Sequence, residues 1–135
     1  MKDRAGVMIK SKDKIRIIIT MAGEGRRFRQ IGIKEPKYAI LARERPLFDW
    51  ALNSLKNFYV SGDFVFVTLK GNRKFIERRC NALGIKSFKI LTLNSKTDGQ
   101  ATTVFKAINN DKYGPLLIYN IDTHICSELP KPLDI

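Results

Sequence analysis

The sequence has few of the residues that build disulfide frameworks or metal clusters. Its 135 residues include two cysteines, Cys80 and Cys126, and one histidine, His124. The cysteines lie far apart, so they predict neither a disulfide framework nor a metal-binding spacing, and we expect a reduced, cytoplasmic setting. His124 and Cys126 lie close together, but two such residues are too few for a zinc site.

Long apolar segments are missing as well. No run reaches the ~18–20 residues that a membrane-spanning helix needs. The first residues are charged, and no apolar stretch of the kind found in a secretory signal follows them. We interpret residues 1–14 as a flexible basic arm and residues 15–135 as one domain.

Acidic residues are scarce relative to basic ones. The chain has 13 Asp and Glu against 25 Lys and Arg, a formal charge of +12. Such an excess favours anionic partners: nucleotides, nucleic acid or a membrane surface. One basic cluster, at 70–79, is typical of a solvated face, whereas the other, at 26–45, adjoins a glycine-containing loop.

The apolar pattern predicts an α/β fold. Continuous apolar runs at 15–20, 63–69, 87–93 and 116–119 are typical of buried strands, and amphipathic helices are predicted at 47–56, 73–83 and about 100–109. Alternating strands and helices of this kind favour a doubly wound, mainly parallel sheet with helices on both faces.

Several local details follow from the same patterns. Asn72 is expected to cap helix 73–83, and Gly84 is expected to end it. Residues 38–42 should be extended because they follow a proline. In the helix from about 100 to 109, the predicted inner stripe consists of Ala101, Val104, Phe105 and Ile108.

Three polar features follow predicted strands. A glycine-containing loop at 21–28 follows the first strand, the segment 97–100 follows the third, and Asp122 follows the fourth. Ligands of open parallel sheets bind at the carboxyl ends of the strands, where the strand order reverses. If the first and fourth strands are neighbours, the three features border one cleft.

The glycine-containing loop does not match two common nucleotide-binding motifs. In Gly-Glu-Gly-Arg-Arg-Phe at 23–28, Phe28 stands where a dinucleotide fingerprint needs its third glycine. The Gly-Lys-Ser/Thr of a P-loop is also absent from the sequence. A glycine turn remains, which directs Arg27 and then Lys37 toward an anion; guanidinium and ammonium groups both suit phosphate.

At this level the sequence resembles the sugar-phosphate nucleotidyltransferases, the family that includes the nucleotide-sugar pyrophosphorylases. The matching blocks are Met-Ala-Gly-Glu-Gly-Arg-Arg-Phe at 21–28, Lys-Glu-Pro-Lys-Tyr at 34–38, Asp-Gly-Gln-Ala-Thr-Thr-Val at 98–104 and Asn-Ile-Asp at 120–122. The first two blocks are specific, and the resemblance covers about residues 15–127. It implies a Rossmann-like nucleotidyltransferase fold.

The resemblance also implies roles for individual residues. Arg27 would contact the triphosphate, Lys37 the reacting phosphate, and Asp122 a Mg²⁺ ion, which prefers oxygen ligands. The nucleotide would be bound by backbone groups of the loop and by the segment that contacts base and ribose, namely Ala22, Gly23, Glu24, Gly25, Gly99 and Gln100.

The implied reaction transfers a nucleoside monophosphate group from an NTP to a sugar 1-phosphate, or to a similar phosphorylated acceptor, and releases pyrophosphate.

Two features depart from the family. Arg26 stands where a small Ser or Thr is usual, and family members are longer, with a second half that supplies another metal-binding aspartate and most of the acceptor pocket. Residues 15–135 therefore match the nucleotide-binding part, and we expect the isolated chain to bind NTP weakly and to turn over poorly or not at all. The incomplete sheet would leave an edge that invites self-association.

Two other readings stay open from the residues alone. One is a nucleotide-binding half-domain without catalysis. The other is a basic nucleic-acid-binding module, which the charge of +12 allows but which no recognisable nucleic-acid-binding motif supports.

Overall fold

A computed structural model of the chain describes residues 14–23, 30–108 and 114–130. Its strands, in chain order, are β1 (Arg16–Met21), β2 (Leu41–Ala42), β3 (Arg45–Pro46), β4 (Asp63–Leu69), β5 (Phe88–Leu93) and β6 (Leu116–Asn120). Four of them form one sheet in the order β5-β4-β1-β6, and every neighbouring pair is parallel. The first and last of the four predicted strands are therefore adjacent, as expected.

Helices cover both faces of this sheet. They are α1 (Leu47–Asn53), α2 (Arg73–Leu83) and α3 (Gln100–Ile108). Alternate residues of β1 divide between two cores: Ile17 and Ile19 pack with residues of α1 and α2, whereas Ile18 packs with residues of α3. The doubly wound α/β fold is confirmed.

The ends of several elements differ from the prediction. The helix predicted at 47–56 ends at Asn53, and a separate 3₁₀ turn follows at Lys56–Phe58. Another 3₁₀ turn, Lys37–Ala39, replaces the first part of the extended segment expected at 38–42. Gly84 ends α2 at a φ of 83°, in the left-handed region that suits glycine.

Asn72 precedes α2 as predicted, but its side chain does not cap the helix. The amide nitrogen donates instead to Thr68 Oγ1 at 2.9 Å and to the backbone oxygen of Leu69 at 3.2 Å. The prediction of a side-chain cap is wrong: Asn72 has an αR backbone conformation rather than the extended one typical of an N-cap, and two bonds to the end of β4 orient its amide.

The inner face of α3 also differs from the predicted stripe. Thr103, Val104 and Ala107 are buried, whereas Ala101 is exposed and the side chain of Phe105 is 79% exposed. The hydroxyl of Thr103 donates to the backbone oxygen of Gly99 at 3.1 Å, which satisfies this polar group inside the fold. The apolar periodicity therefore placed the buried face about a quarter turn away from its true position.

Strand β6 is at one end of the sheet within the described ranges. On the face that carries α3, Leu116 and Ile118 are 40% and 46% exposed. The expected exposed edge is thus present.

The predicted arm at 1–14 falls almost wholly outside the described residues. No helix in the described part of the chain is long and apolar enough to cross a membrane.

Gly62 lies where two parts of the core approach closely. An added Cβ would lie 2.7 Å from Ile17 Cδ1 and 2.9 Å from the backbone oxygen of Phe58. We expect Gly62→Ala to lower the free energy of unfolding by about 1–3 kcal/mol, because neither the buried strand nor the backbone yields easily. Urea denaturation measures this; Gly99→Ala is the control, since its Cβ would meet no atom within 4 Å. Equal midpoints for the two variants would contradict the prediction.

Asp49 and Arg79 join α1 to α2 through an ion pair in which the Asp49 side chain is 3% exposed. Hydrogen bonding to Asp49 raises the pKa of Arg79 above its ordinary value. Arg79→Met should destabilise the fold by about 3 kcal/mol, because it leaves a buried carboxylate without its partner. The exposed neighbour Arg78 is the matched control, and Arg78→Met should change stability by about 0.5 kcal/mol or less. Thermal unfolding at neutral pH measures both, and similar losses would contradict the assignment.

Candidate functional site

A cavity of about 560 Å³ lies at the carboxyl ends of the parallel strands. It borders the point between β1 and β6 where the strand order reverses, which is where open α/β sheets bind ligands. Its lining comes from the segments after all four strands and from the segment before α1, including Ala22, Gly23, Lys34, Lys37, Lys70, Asn72, Lys96, Thr97, Gly99, Gln100, Asn120 and Asp122.

The structure brings most of the predicted site residues together at this cavity. Six of them line it: Ala22, Gly23, Lys37, Gly99, Gln100 and Asp122. Three others, Glu24, Gly25 and Arg27, lie outside the described residues. The topology therefore unites segments that are up to about 100 residues apart in the sequence, as a parallel sheet requires.

Lys37 and Asp122 are directly paired. The Lys37 ammonium lies 3.1 Å from Asp122 Oδ2, and the two side chains are 38% and 44% exposed. Asp122 follows β6, and its backbone N–H donates to Asn120 Oδ1 at 3.3 Å. A cation from the turn before α1 and an anion from the segment after β6 thus form an ion pair in the lining of the cavity.

Tyr38 anchors the turn that carries Lys37. Its side chain is buried, and its ring centroid lies 5.4 Å from that of Phe75. Burial raises the pKa of Tyr38 to about 12. Because Tyr38 belongs to the larger core, Lys37 projects from a fixed turn.

One hydrogen bond joins the first residue of α3 to the end of β1, and others order the segment before that helix. Gln100 Nε2 donates to Thr20 Oγ1 at 3.2 Å. The Thr97 hydroxyl and the Thr103 backbone N–H both donate to the backbone oxygen of Gly99, at 2.9 and 3.1 Å. Gln100 therefore links the two walls of the cavity in the structure.

Lysines outnumber carboxylates around the cavity. Among the described lining residues, Lys34, Lys37, Lys70 and Lys96 carry positive charge, whereas Glu35 and Asp122 carry negative charge. An excess of cations in a concave site favours an anionic ligand. Phosphates are such ligands.

Sequence reasoning assigned no site role to Lys70, Asn72 and Lys96. The first two follow β4 and the third follows β5. The signal was available, because parallel strands must end at the same edge of a sheet. Only the exits of the first, third and fourth predicted strands were considered, and within the third exit only Gly99 and Gln100 were given roles.

The residues around the cavity fit a divalent cation in one limited way. No group of three or more His, Cys, Asp and Glu side chains suited to a metal occurs in ranges 14–23, 30–108 and 114–130. Mg²⁺, however, is commonly bound by one or two carboxylates together with substrate phosphates and water. Asp122 suits a site of that kind, completed by a phosphorylated ligand.

The raised pKa of Tyr38 makes its contribution to stability depend on pH. Free tyrosine titrates near pH ~10, so above that pH the unfolded chain loses this proton more readily than the folded chain. Stability is therefore retained below pH ~10 and lost as the pH rises toward the folded value of about 12. Between pH ~9 and ~11 we expect the wild type to lose about 1 kcal/mol more of its free energy of unfolding than Tyr38→Phe, which has no phenol proton to lose. Urea denaturation at both pH values measures it, and a constant difference would contradict the prediction.

No protein-family model and no curated protein matches the chain, whereas several solved structures do. A nucleoside-diphosphate-sugar pyrophosphorylase from Vibrio cholerae RC9 matches with 32% identity and a TM-score of 0.72, over 80% of this chain and 48% of that one. The inositol-1-phosphate CTP transferase from T. maritima matches with 21% identity and a TM-score of 0.67, over 84% of this chain and 45% of that one.

A UDP-glucose pyrophosphorylase, in complex with UDP-glucose, matches with 16% identity and a TM-score of 0.59, over 81% of this chain and 46% of that one. At their lower identities, the second and third matches show a shared fold. The chain spans about half the length of each relative. The motifs, the fold and the 32% identity agree, and in each respect the chain is similar to about half of a nucleotidyltransferase of the nucleotide-sugar pyrophosphorylase type.

Proposed function

We propose that this chain is the nucleotide-binding part of a Mg²⁺-dependent nucleotidyltransferase, which transfers a nucleoside monophosphate group from an NTP to a sugar 1-phosphate or a similar phosphorylated acceptor. The observation that carries the proposal is the cavity. It brings Ala22, Gly23, Lys37, Gln100 and Asp122 together at the strand-order reversal. The similarity to the Vibrio cholerae pyrophosphorylase supports the same class of reaction.

Each residue has a role that suits its position. Ala22 and Gly23 follow β1, where backbone N–H groups suit phosphate oxygens. Lys37, on the turn anchored by Tyr38, would neutralise charge on the reacting phosphate. Gly99 and Gln100, on the far wall, would contact base and ribose, and Arg27, Glu24 and Gly25 retain the roles that the motif implies.

The reaction needs no side-chain nucleophile. A phosphate oxygen of the acceptor attacks the α-phosphorus of the NTP, a new P–O bond forms, and the bond to pyrophosphate breaks. The chain's contribution is to hold the triphosphate in line for attack and to balance the charge that develops on its oxygens. Asp122 would hold Mg²⁺, which neutralises phosphate charge when bound.

The length of the relatives bears on the acceptor. This chain spans about half of each, and every site role proposed here concerns the nucleotide or the cation. We therefore propose NTP binding for the chain itself and nucleotidyl transfer for the complete active site.

Binding of NTP in the presence of Mg²⁺ tests the proposal by calorimetry. We expect Lys37→Met to weaken NTP binding about tenfold or more, because a charge-assisted contact with phosphate is lost. Lys86→Met is the matched control: it removes the same charge from an exposed lysine that does not line the cavity. Unchanged NTP affinity in Lys37→Met would remove the main support for the site.

Salt dependence separates this proposal from the nucleic-acid-binding alternative. Affinity for duplex DNA should fall steeply with salt through counterion release, and Lys37→Met should affect it no more than Lys86→Met does. NTP binding should depend instead on Mg²⁺ and on Lys37. Tight DNA binding together with no detectable NTP binding would overturn the proposal.

A further inference from the structure

The carboxylate proposed for the cation already has a cation beside it. Asp122 Oδ2 lies 3.1 Å from the Lys37 ammonium, and Lys37 is the residue proposed to contact the reacting phosphate. Glu35 is the other acidic residue among the described lining of the cavity. Asp122 and Lys37, the two groups proposed to act on the nucleotide complex, are therefore engaged with each other.

A divalent cation and a lysine ammonium compete for one carboxylate on two physical grounds. Each needs the same oxygen atoms, since Mg²⁺ binds oxygen at ~2.0–2.1 Å. Each also repels the other, because like charges at close range disfavour joint occupancy. A nucleotide changes this balance, since its phosphates offer the ammonium new anionic partners while they supply ligands to the cation.

We propose that Lys37 acts as the counter-cation of Asp122 when no nucleotide is bound, and that it exchanges this carboxylate for nucleotide phosphate when a divalent cation arrives with the nucleotide. The inference rests on the proposed function and deepens it. Lys37 then has two opposite effects: it weakens binding of a cation alone and strengthens binding of the cation–nucleotide complex.

Because the pair is exposed to solvent, breaking it costs little free energy. Both side chains are more than a third exposed, and ion pairs of this kind contribute little to stability. Lys37 can therefore leave Asp122 without unfolding its turn, which Tyr38 holds in the core. The loss of the pair should change the affinity of Asp122 for a cation about fivefold.

The test uses Mn²⁺ without nucleotide, followed through paramagnetic broadening of the backbone amide resonances of Ile121 and Thr123. We expect Lys37→Met to bind Mn²⁺ about fivefold more tightly than the wild type. Lys37→Arg, which keeps the charge, should resemble the wild type. Lys34→Met is the matched control, since it removes one charge from the same cavity and should tighten Mn²⁺ binding much less.

The variant Asp122→Asn tests whether Mn²⁺ binds at the Asp122 carboxylate, and therefore whether Lys37 changes Mn²⁺ affinity by competing for it. Broadening at Ile121 and Thr123 should be lost in Asp122→Asn, and adding Lys37→Met to that variant should not restore it. Three results would overturn the inference: Mn²⁺ affinity in Lys37→Met within about twofold of the wild type, equal tightening in Lys34→Met, or broadening that persists in Asp122→Asn.

The same variants separate this inference from the proposed function. If NTP binds and Lys37→Met weakens it while Mn²⁺ affinity is unchanged, the inference fails and the proposed function stands. If Mn²⁺ binding tightens as expected but the wild type binds no NTP, the proposed function fails, and with it the exchange onto nucleotide phosphate. Tighter Mn²⁺ binding together with weaker NTP binding in the one variant is the result that supports both.

Discussion

The parallel pairing of β1 on both of its edges is the constraint on which the rest of the structure depends. β1 pairs with β4 along one edge and with β6 along the other, and Ile17, Ile18 and Ile19 are completely buried. A strand bonded on both sides and packed on both faces cannot shift its register without breaking the pairing with both neighbours and repacking two cores. The point at which β1 delivers the chain to Ala22 and Gly23 is fixed for the same reason.

The other site residues take their positions from that fixed point. Gln100 contacts it through Thr20, and Lys37 approaches it from a turn that Tyr38 attaches to the core. Farther out, the pair formed by Asp49 and Arg79 ties α1 to α2 on one face of the sheet. The residues proposed to contact the nucleotide are therefore attached to buried parts of the fold, and such prior ordering lowers the cost of binding a ligand.

The positive charge of the cavity is partly balanced by the chain itself. Four lysines line it within the described part of the chain, and at least one of them has a carboxylate partner. The pair between Lys37 and Asp122 is solvated enough to open at little cost. The charges of the cavity are thus partly balanced within the chain, and the excess of lysines that favours an anionic ligand remains.

The amino-acid pattern alone predicts the order of strands and helices, the parallel sheet and six of the residues that line the cavity. It does so because continuous apolar runs such as 63–69 have one stable environment, a sheet covered on both faces, and because ligand sites follow from where such strands end. The sequence pattern does not predict the exact buried face of a helix or the partners of single polar side chains, and these depend on the tertiary structure. The buried face of α3 is set by Thr103, whose hydroxyl finds the backbone oxygen of Gly99, and not by the more apolar Phe105. Asn72 bonds to the end of β4 rather than to α2, and Lys37 pairs with Asp122 across 85 residues of sequence. These contacts depend on distances between segments that are remote in the chain, and local residue preferences carry no information about such distances.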